Sequence, residues 1–186
     1  MRPNFTMALT VAIVTTLAWI GSERGASCEP APSPPGAHNI PQSLLLEHQD
    51  TLEHLAVLAR RHGAVGVVAR RYKALFERHA AREREYILPP LTLLGDLTTS
   101  EVTADDAWAM AMADRVRADR DVIYMEHTQI TTAANELYNA GRRAHDRAAV
   151  AFAQEAIRDS LNDMEIQEPA VLMIGAYLHS KLPATR

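Results

Sequence analysis

From Pro41 to about residue 180 the apolar residues recur at helical spacing, and ionisable groups stand in the same rows. The last segment puts Ala149, Phe152, Ala156, Ile166, Ala170, Met173 and Tyr177 on one face, with Asp159 and Asp163 among them. An earlier segment carries Val65, Val68, Tyr72, Leu75, Phe76 and Tyr86, with His79 and Glu83 in the corresponding places. Burying such groups without partners is strongly unfavourable. Grouped around a cation they compensate one another, so the pattern predicts helices built around a metal site.

The spacing defines four helical stretches, at about 41–61, 64–94, 105–140 and 144–180. Gly63 ends the first, with Leu45, His48, Leu52, Leu55 and Leu58 or Ala59 inward, and Gly141 breaks the third. Pro89 and Pro90 kink or interrupt the second, and Pro169 lies inside the fourth. Thr103 to Asp106 offers N-cap chemistry to the third. No alternating β-branched run follows residue 41, and aromatics make up only 5% of a chain rich in alanine, which favours closely packed helices. The expected fold is all-α: an up-down-up-down four-helix bundle over residues 41–182.

The second half echoes the first. His79 to Gly95 aligns without a gap on Asp159 to Gly175, a constant offset of 80 residues. Glu83 then matches Asp163, Pro89 matches Pro169, and Glu47-His48 reappears as Glu126-His127. Two helical hairpins of similar design, an internal pseudo-duplication, follow from this. His48 precedes Gly63 by 15 residues and His79 follows it by 16; His127 and Asp159 stand 16 residues either side of Arg143. In antiparallel hairpins these four groups share one layer. Glu83 and Asp163 lie one turn away, about 6 Å along their helices. An i, i+4 pair on one face can serve two adjacent metals. Imidazole with carboxylate suits iron, and manganese or zinc as alternatives. The candidate ligands are His48, His79, Glu83, His127, Asp159 and Asp163.

The ordered set, with "LLEHQDTLEHLAVL", "LFERHAAREREYILPPL" and "YMEHTQITTAANEL" on the first three helices, resembles the hemerythrin-like (HHE) cation-binding domain over about residues 40–180. The resemblance implies a non-haem di-iron centre in a four-helix bundle, with histidine ligands and bridging carboxylates. It also implies binding of O₂ or NO, sensing of oxygen or iron, or iron storage and release. By position it carries the ligand role to His48, His79, Glu83, His127 and Asp163. The family expects a histidine on the fourth helix where this chain offers Asp159. An anionic oxygen donor there would lower the redox potential, favour the ferric state and weaken reversible O₂ carriage.

The N-terminal segment predicts export. Met7 to Ile20 is apolar apart from threonine, with Arg2 ahead and Gly25, Ala26 and Ser27 behind, as in a signal peptide. Residues 1–27 are read as a signal peptide or N-terminal anchor, and 28–40 as an extended tether, with five prolines between positions 29 and 41. Cys28, the single cysteine, excludes an internal disulfide and fits lipoprotein processing after small residues. A membrane is engaged only through this segment or a lipidated Cys28, and the localisation is periplasmic, cell-surface or secreted. A net charge of −4 without a basic patch excludes nucleic acid as a partner. The oligomeric state stays open.

Taken singly, His48 and His127 read as core histidines, and His79 with Glu83 as a structural i, i+4 pair. Their common layer is what points to metal. His54 is placed in solvent, His62 and His145 at helix caps, and His38 and His179 carry no role. Glu47 and Glu126 are placed on the outside, within reach of the neighbouring histidines. Met110, Met112, Met125, Met164 and Met173 read as core fillers, and Tyr72, Tyr124, Tyr138 and Tyr177 as core or rim. Two other functions compete: a metal-free helical interaction module at the cell surface, and a di-iron oxidase. The paired Glu-x-x-His signature of ferritin-like oxidases is absent.

Overall fold

A computed structural model describes residues 38–99 and 102–182. The signal peptide or anchor assigned to residues 1–27, Cys28, and the tether as far as residue 37 lie outside the described residues. Among the described residues the chain is helical, with no strand, as the sequence predicts. No helix there is long and apolar enough to cross a membrane.

The first hairpin pairs α1 (Gln42–Ala59) with α2 (Gly63–Arg82). A wide π turn over Glu83–Ile87 and a 3₁₀ segment over Pro89–Leu94 continue α2, and α3 (Asp96–Thr99) follows. A 3₁₀ turn at Ala104–Ala107 leads into α4 (Trp108–Ala118) and α5 (Arg120–Ala144). The second hairpin pairs α5 with α6 (Arg147–Asn162); a second π turn over Asp163–Gln167 joins α6 to α7 (Glu168–Lys181). Laterally, α2 packs on α5 and α4 on α7. The Thr103 cap forms as expected: its N–H donates to Asp106 Oδ2 at 2.9 Å. His145 adopts the left-handed conformation (φ 54°) that closes α5, and Asp146 accepts the N–H groups of Ala148 and Ala149 at 3.1 Å to open α6.

The expected third helix is two helices. The break falls at Asp119 (φ −90°, ψ 7°), where no glycine or proline signals it. Tyr86 donates its hydroxyl to Asp119 Oδ2 at 2.9 Å, and Arg115 covers the Tyr86 ring at 4.0 Å. The tether also ends sooner than expected: His38 stacks on Trp108 at 3.7 Å, and Ile40 packs on the core.

The two π turns answer to the two prolines. Pro89 and Pro169 have no N–H for the carbonyls of Glu85 and Glu165, and their rings crowd those oxygens. The backbone instead closes i→i+5 bonds, from Leu88 N–H to Glu83 O at 2.8 Å and from Glu168 N–H to Asp163 O. The 80-residue echo therefore reaches the backbone, since each wide turn starts at a candidate ligand. The second turn also overturns the inward row predicted for the last helix. An added residue rotates everything after it, so Ile166 (61% exposed), Met173 (71% exposed) and Tyr177 face outward. Gln167, Val171, Ile174 and Leu178 take the inside. Met125 and Tyr124, assigned to the core or its rim, are exposed as well.

Two apolar clusters fill the interior. One gathers Leu55, Leu58, Val65, Tyr72, Phe76, Ile130 and Leu137; the other gathers Tyr86, Ile87, Leu88, Ile123, Val171, Ile174 and Leu178. On each helix the candidate ligand falls between residues of the two: His79 and Glu83 between Phe76 and Tyr86, His127 between Ile123 and Ile130. Small side chains bring the helices close. A Cβ on Gly175 would stand 2.4 Å from the Ala113 Cβ, so α7 meets α4 there with no room for a methyl. Gly175→Ala is expected to lower stability by about 1–3 kcal/mol, read as a lower urea midpoint at unchanged m-value. An unchanged midpoint would remove this contact from the packing account.

Candidate metal centre

α1 supplies His48, α2 supplies His79, and Glu83 opens the π turn that follows. The Glu83 carboxylate lies between two imidazoles: Oε2 is 2.8 Å from His48 Nε2 and Oε1 is 3.2 Å from His79 Nε2. From the other hairpin come His127 on α5, Asp163 at the start of the second π turn, and Glu168 at the start of α7. His127 Nε2 lies 2.7 Å from Glu168 Oε1. The rings of His79 and His127 meet edge to face at 4.6 Å. His79, His127 and Asp163, all buried, each present a donor atom within 4.8 Å of the others, a group able to hold a metal ion.

Short distances here do not make hydrogen bonds. Both oxygens of Glu83, His127 Nε2, Glu168 Oε1, His48 Nδ1 and His79 Nδ1 are buried without a hydrogen-bond partner. Native interiors rarely leave polar atoms in that state. The Glu83 oxygens, His127 Nε2 and Glu168 Oε1 face neighbouring donors across a dry layer, an arrangement that suits a cation.

The surroundings fix the donors. His127 Nδ1 faces Ser160 Oγ at 3.4 Å, and Ser160 meets Thr131 Oγ1 at 3.1 Å. Gln167 donates through Nε2 to Asp163 Oδ1. Behind His79, Nδ1 faces Glu126 Oε2 at 3.8 Å, and Arg82 Nε donates to the same oxygen at 2.9 Å. A carboxylate behind a ligand histidine orients the ring and raises its basicity.

Of the six residues predicted, five converge. Asp159 does not join them. The buried face of α6 runs Ala149, Ala153, Ala156, Ser160, Asp163, which leaves Asp159 one residue off the row. It is half-buried in a groove between α1 and α6, with Glu47, Asp50, His54 and Glu155. The sequence reading missed Glu168, Ser160 and Gln167. Glu168 stands five residues after Asp163 and just before Pro169; the wide turn puts such a pair side by side, and that spacing was the available signal. His54 is exposed, as expected.

The charges compete strongly. Burial and the neighbouring Glu83 push Asp163 from 3.8 up to about 8. Burial resists charge on His79, but its contacts with Glu126 and Glu83 win and raise it from 6.5 to about 10. Burial would raise Glu83 too, yet the imidazoles of His48 and His79 hold it well below the usual carboxylate range. In the groove, burial and the charge of Asp159 raise Glu47, and burial and the charge of Glu155 raise Asp159.

No protein-family model matches this chain, and no curated protein or solved structure matches it either.

The pH dependence of the metal-free protein follows from these shifts. Asp163 binds its proton more tightly folded than unfolded, so its penalty is absent below pH 3.8 and grows up to about pH 8. The contribution of protonated His79 is complete below pH 6.5 and is lost as pH rises through about 10. Both act in one direction between pH 6 and 9, where Glu83 stays ionised folded and unfolded. Chelator-treated protein should therefore unfold at lower urea concentration at pH 9 than at pH 6, and Asp163→Asn should flatten that slope. A metal-free protein equally stable at both pH values would refute the shifts.

Proposed function

We propose that this chain is an exported, hemerythrin-like metal-binding protein. In this reading α1, α2, the α4–α5 pair and the α6–α7 pair are the staves of a four-helix bundle. The bundle holds a non-haem di-iron centre that binds O₂ or NO, or senses and handles iron. One observation carries the reading: both oxygens of Glu83, His127 Nε2 and Glu168 Oε1 are buried without a hydrogen-bond partner, with His48 Nε2 and His79 Nε2 beside Glu83, between two clusters of apolar side chains.

His48, His79, Glu83, His127, Asp163 and Glu168 would hold the metal. Bound iron supplies a redox-active Lewis acid suited to a small diatomic ligand; manganese or zinc fits the same donors. Glu126 holds the His79 ring from behind, Arg82 holds Glu126, and Ser160 holds the His127 ring. The flanking clusters keep bulk water from the donors. Three carboxylates in the set move the redox balance toward the ferric state, the role first assigned to Asp159.

A metal-free interaction module is the second reading. It is favoured by the raised pKa of His79 beside the lowered one of Glu83, since an ion pair of that kind fills part of the layer by itself.

Protein purified after iron-replete expression should contain iron in a fixed ratio to chain by elemental analysis, and chelation should lower its Tm. His79→Ala should abolish most of the iron, with His54→Ala unchanged. A folded wild type without metal, whose Tm ignores both chelator and Fe²⁺, would establish the second reading instead. Glu126→Gln keeps the shape but weakens the hold on His79, and is expected to reduce metal affinity by about 10-fold or more, measured by competition with a chromophoric chelator. Unaltered affinity would leave Glu126 as a surface partner of Arg82.

A further inference from the structure

We propose that the buried layer is a mixed-metal centre, with an imidazole-rich half for iron (His48, His79, Glu83) and a carboxylate-rich half for manganese (His127, Asp163, Glu168). The inference rests on the metalloprotein reading above and goes beyond it by making the two halves unequal.

The internal duplication supplies the comparison. Both halves are built on the same device, a wide turn whose first residue is a carboxylate and which is followed by a proline: Glu83 with Pro89, and Asp163 with Pro169. Five residues beyond the carboxylate, each wide turn brings a side chain back to the same side. In the first half that residue is Leu88, fully buried in the apolar cluster. In the second it is Glu168, with Oε1 at 2.7 Å from His127 Nε2 and no hydrogen-bond partner. At the equivalent point one turn earlier, Ala80 in the first half is Ser160 in the second, and Ser160 faces the His127 ring. The two hairpins therefore diverge in one direction, toward oxygen donors in the second.

The donor counts differ accordingly. The first half sets two imidazoles on one carboxylate, through the 2.8 Å and 3.2 Å contacts of Glu83. The second sets one imidazole with two carboxylates, one of them fixed by Gln167. It carries one more negative charge, and His79, within 4.8 Å of His127 and Asp163, stands between the two halves. Imidazole suits iron and zinc, while carboxylate suits manganese. Iron outcompetes manganese at a given site of nitrogen and oxygen donors, so the discrimination is read as a ratio between the halves.

The test uses the full chain, stripped of metal and incubated without oxygen in equal Fe²⁺ and Mn²⁺. Crystals are measured for anomalous scattering at both metal edges. The expected result is a Mn:Fe ratio several-fold higher beside Glu168 than beside His48, in the direction that donor type sets. Equal ratios in two occupied positions would overturn the proposal while leaving the two-metal reading intact. A single ion between His79, His127 and Asp163 would overturn both the proposal and the two-metal reading. No bound metal would overturn the metalloprotein reading itself. Glu168→Gln gives an independent check by elemental analysis. Manganese per chain should fall about tenfold with iron retained, in protein whose helical circular dichroism is unchanged. A parallel loss of both metals would overturn the assignment of Glu168 to one half.

Discussion

The interior of this protein is organised by a conflict of charge. Glu83 and Asp163 are both buried, and the charge of Glu83 raises the cost of ionising Asp163. Three imidazoles stand among them, each with one ring nitrogen that has no hydrogen-bond partner. Everything near the layer is arranged so that these groups stay where they are. The apolar clusters shut them in from either end, Gln167 and Ser160 grip them from within, and the Arg82–Glu126 pair grips His79 from outside. Hydrophobic burial on this scale would be weakened by stranded charges, so the fold and the candidate site stand or fall together.

Proline is what allows the layer its width. An unbroken α-helix would bring i and i+4 onto one face and leave i+5 turned away. At Glu83 and Asp163 the missing N–H groups of Pro89 and Pro169 open the turn, and the backbone bond closes to the fifth residue. Wide turns of this kind are frequent at functional sites. Here one copy of the device ends in Leu88 and the other in Glu168, so the same backbone carries an apolar core residue in one hairpin and a carboxylate against His127 in the other.

Much of this was legible in the sequence. The apolar period identified a helical chain, and the placement of His48, His79, Glu83, His127 and Asp163 about Gly63 and Arg143 foretold that they meet. What was lost was lost for one reason: a fixed period of 3.6 residues cannot register an inserted residue. Past Asp163 the assumed phase turned Met173 and Tyr177 inward and hid Glu168. Asp159 failed differently, by a single position against Ser160, a distinction that depends on which side of α6 meets α5. The break at Asp119 has no local signal, because a hydroxyl from Tyr86, 33 residues earlier, helps hold it.

The groove beside α1 has a consequence of its own. α1 leans almost wholly on α2 and scarcely meets α6, and the gap between them is lined with acids. Segments with few tertiary neighbours are the first to open in native-state fluctuations. α1 is thus the segment expected to open first, and His48 is the one candidate donor it carries; the other five stand on the segments behind it.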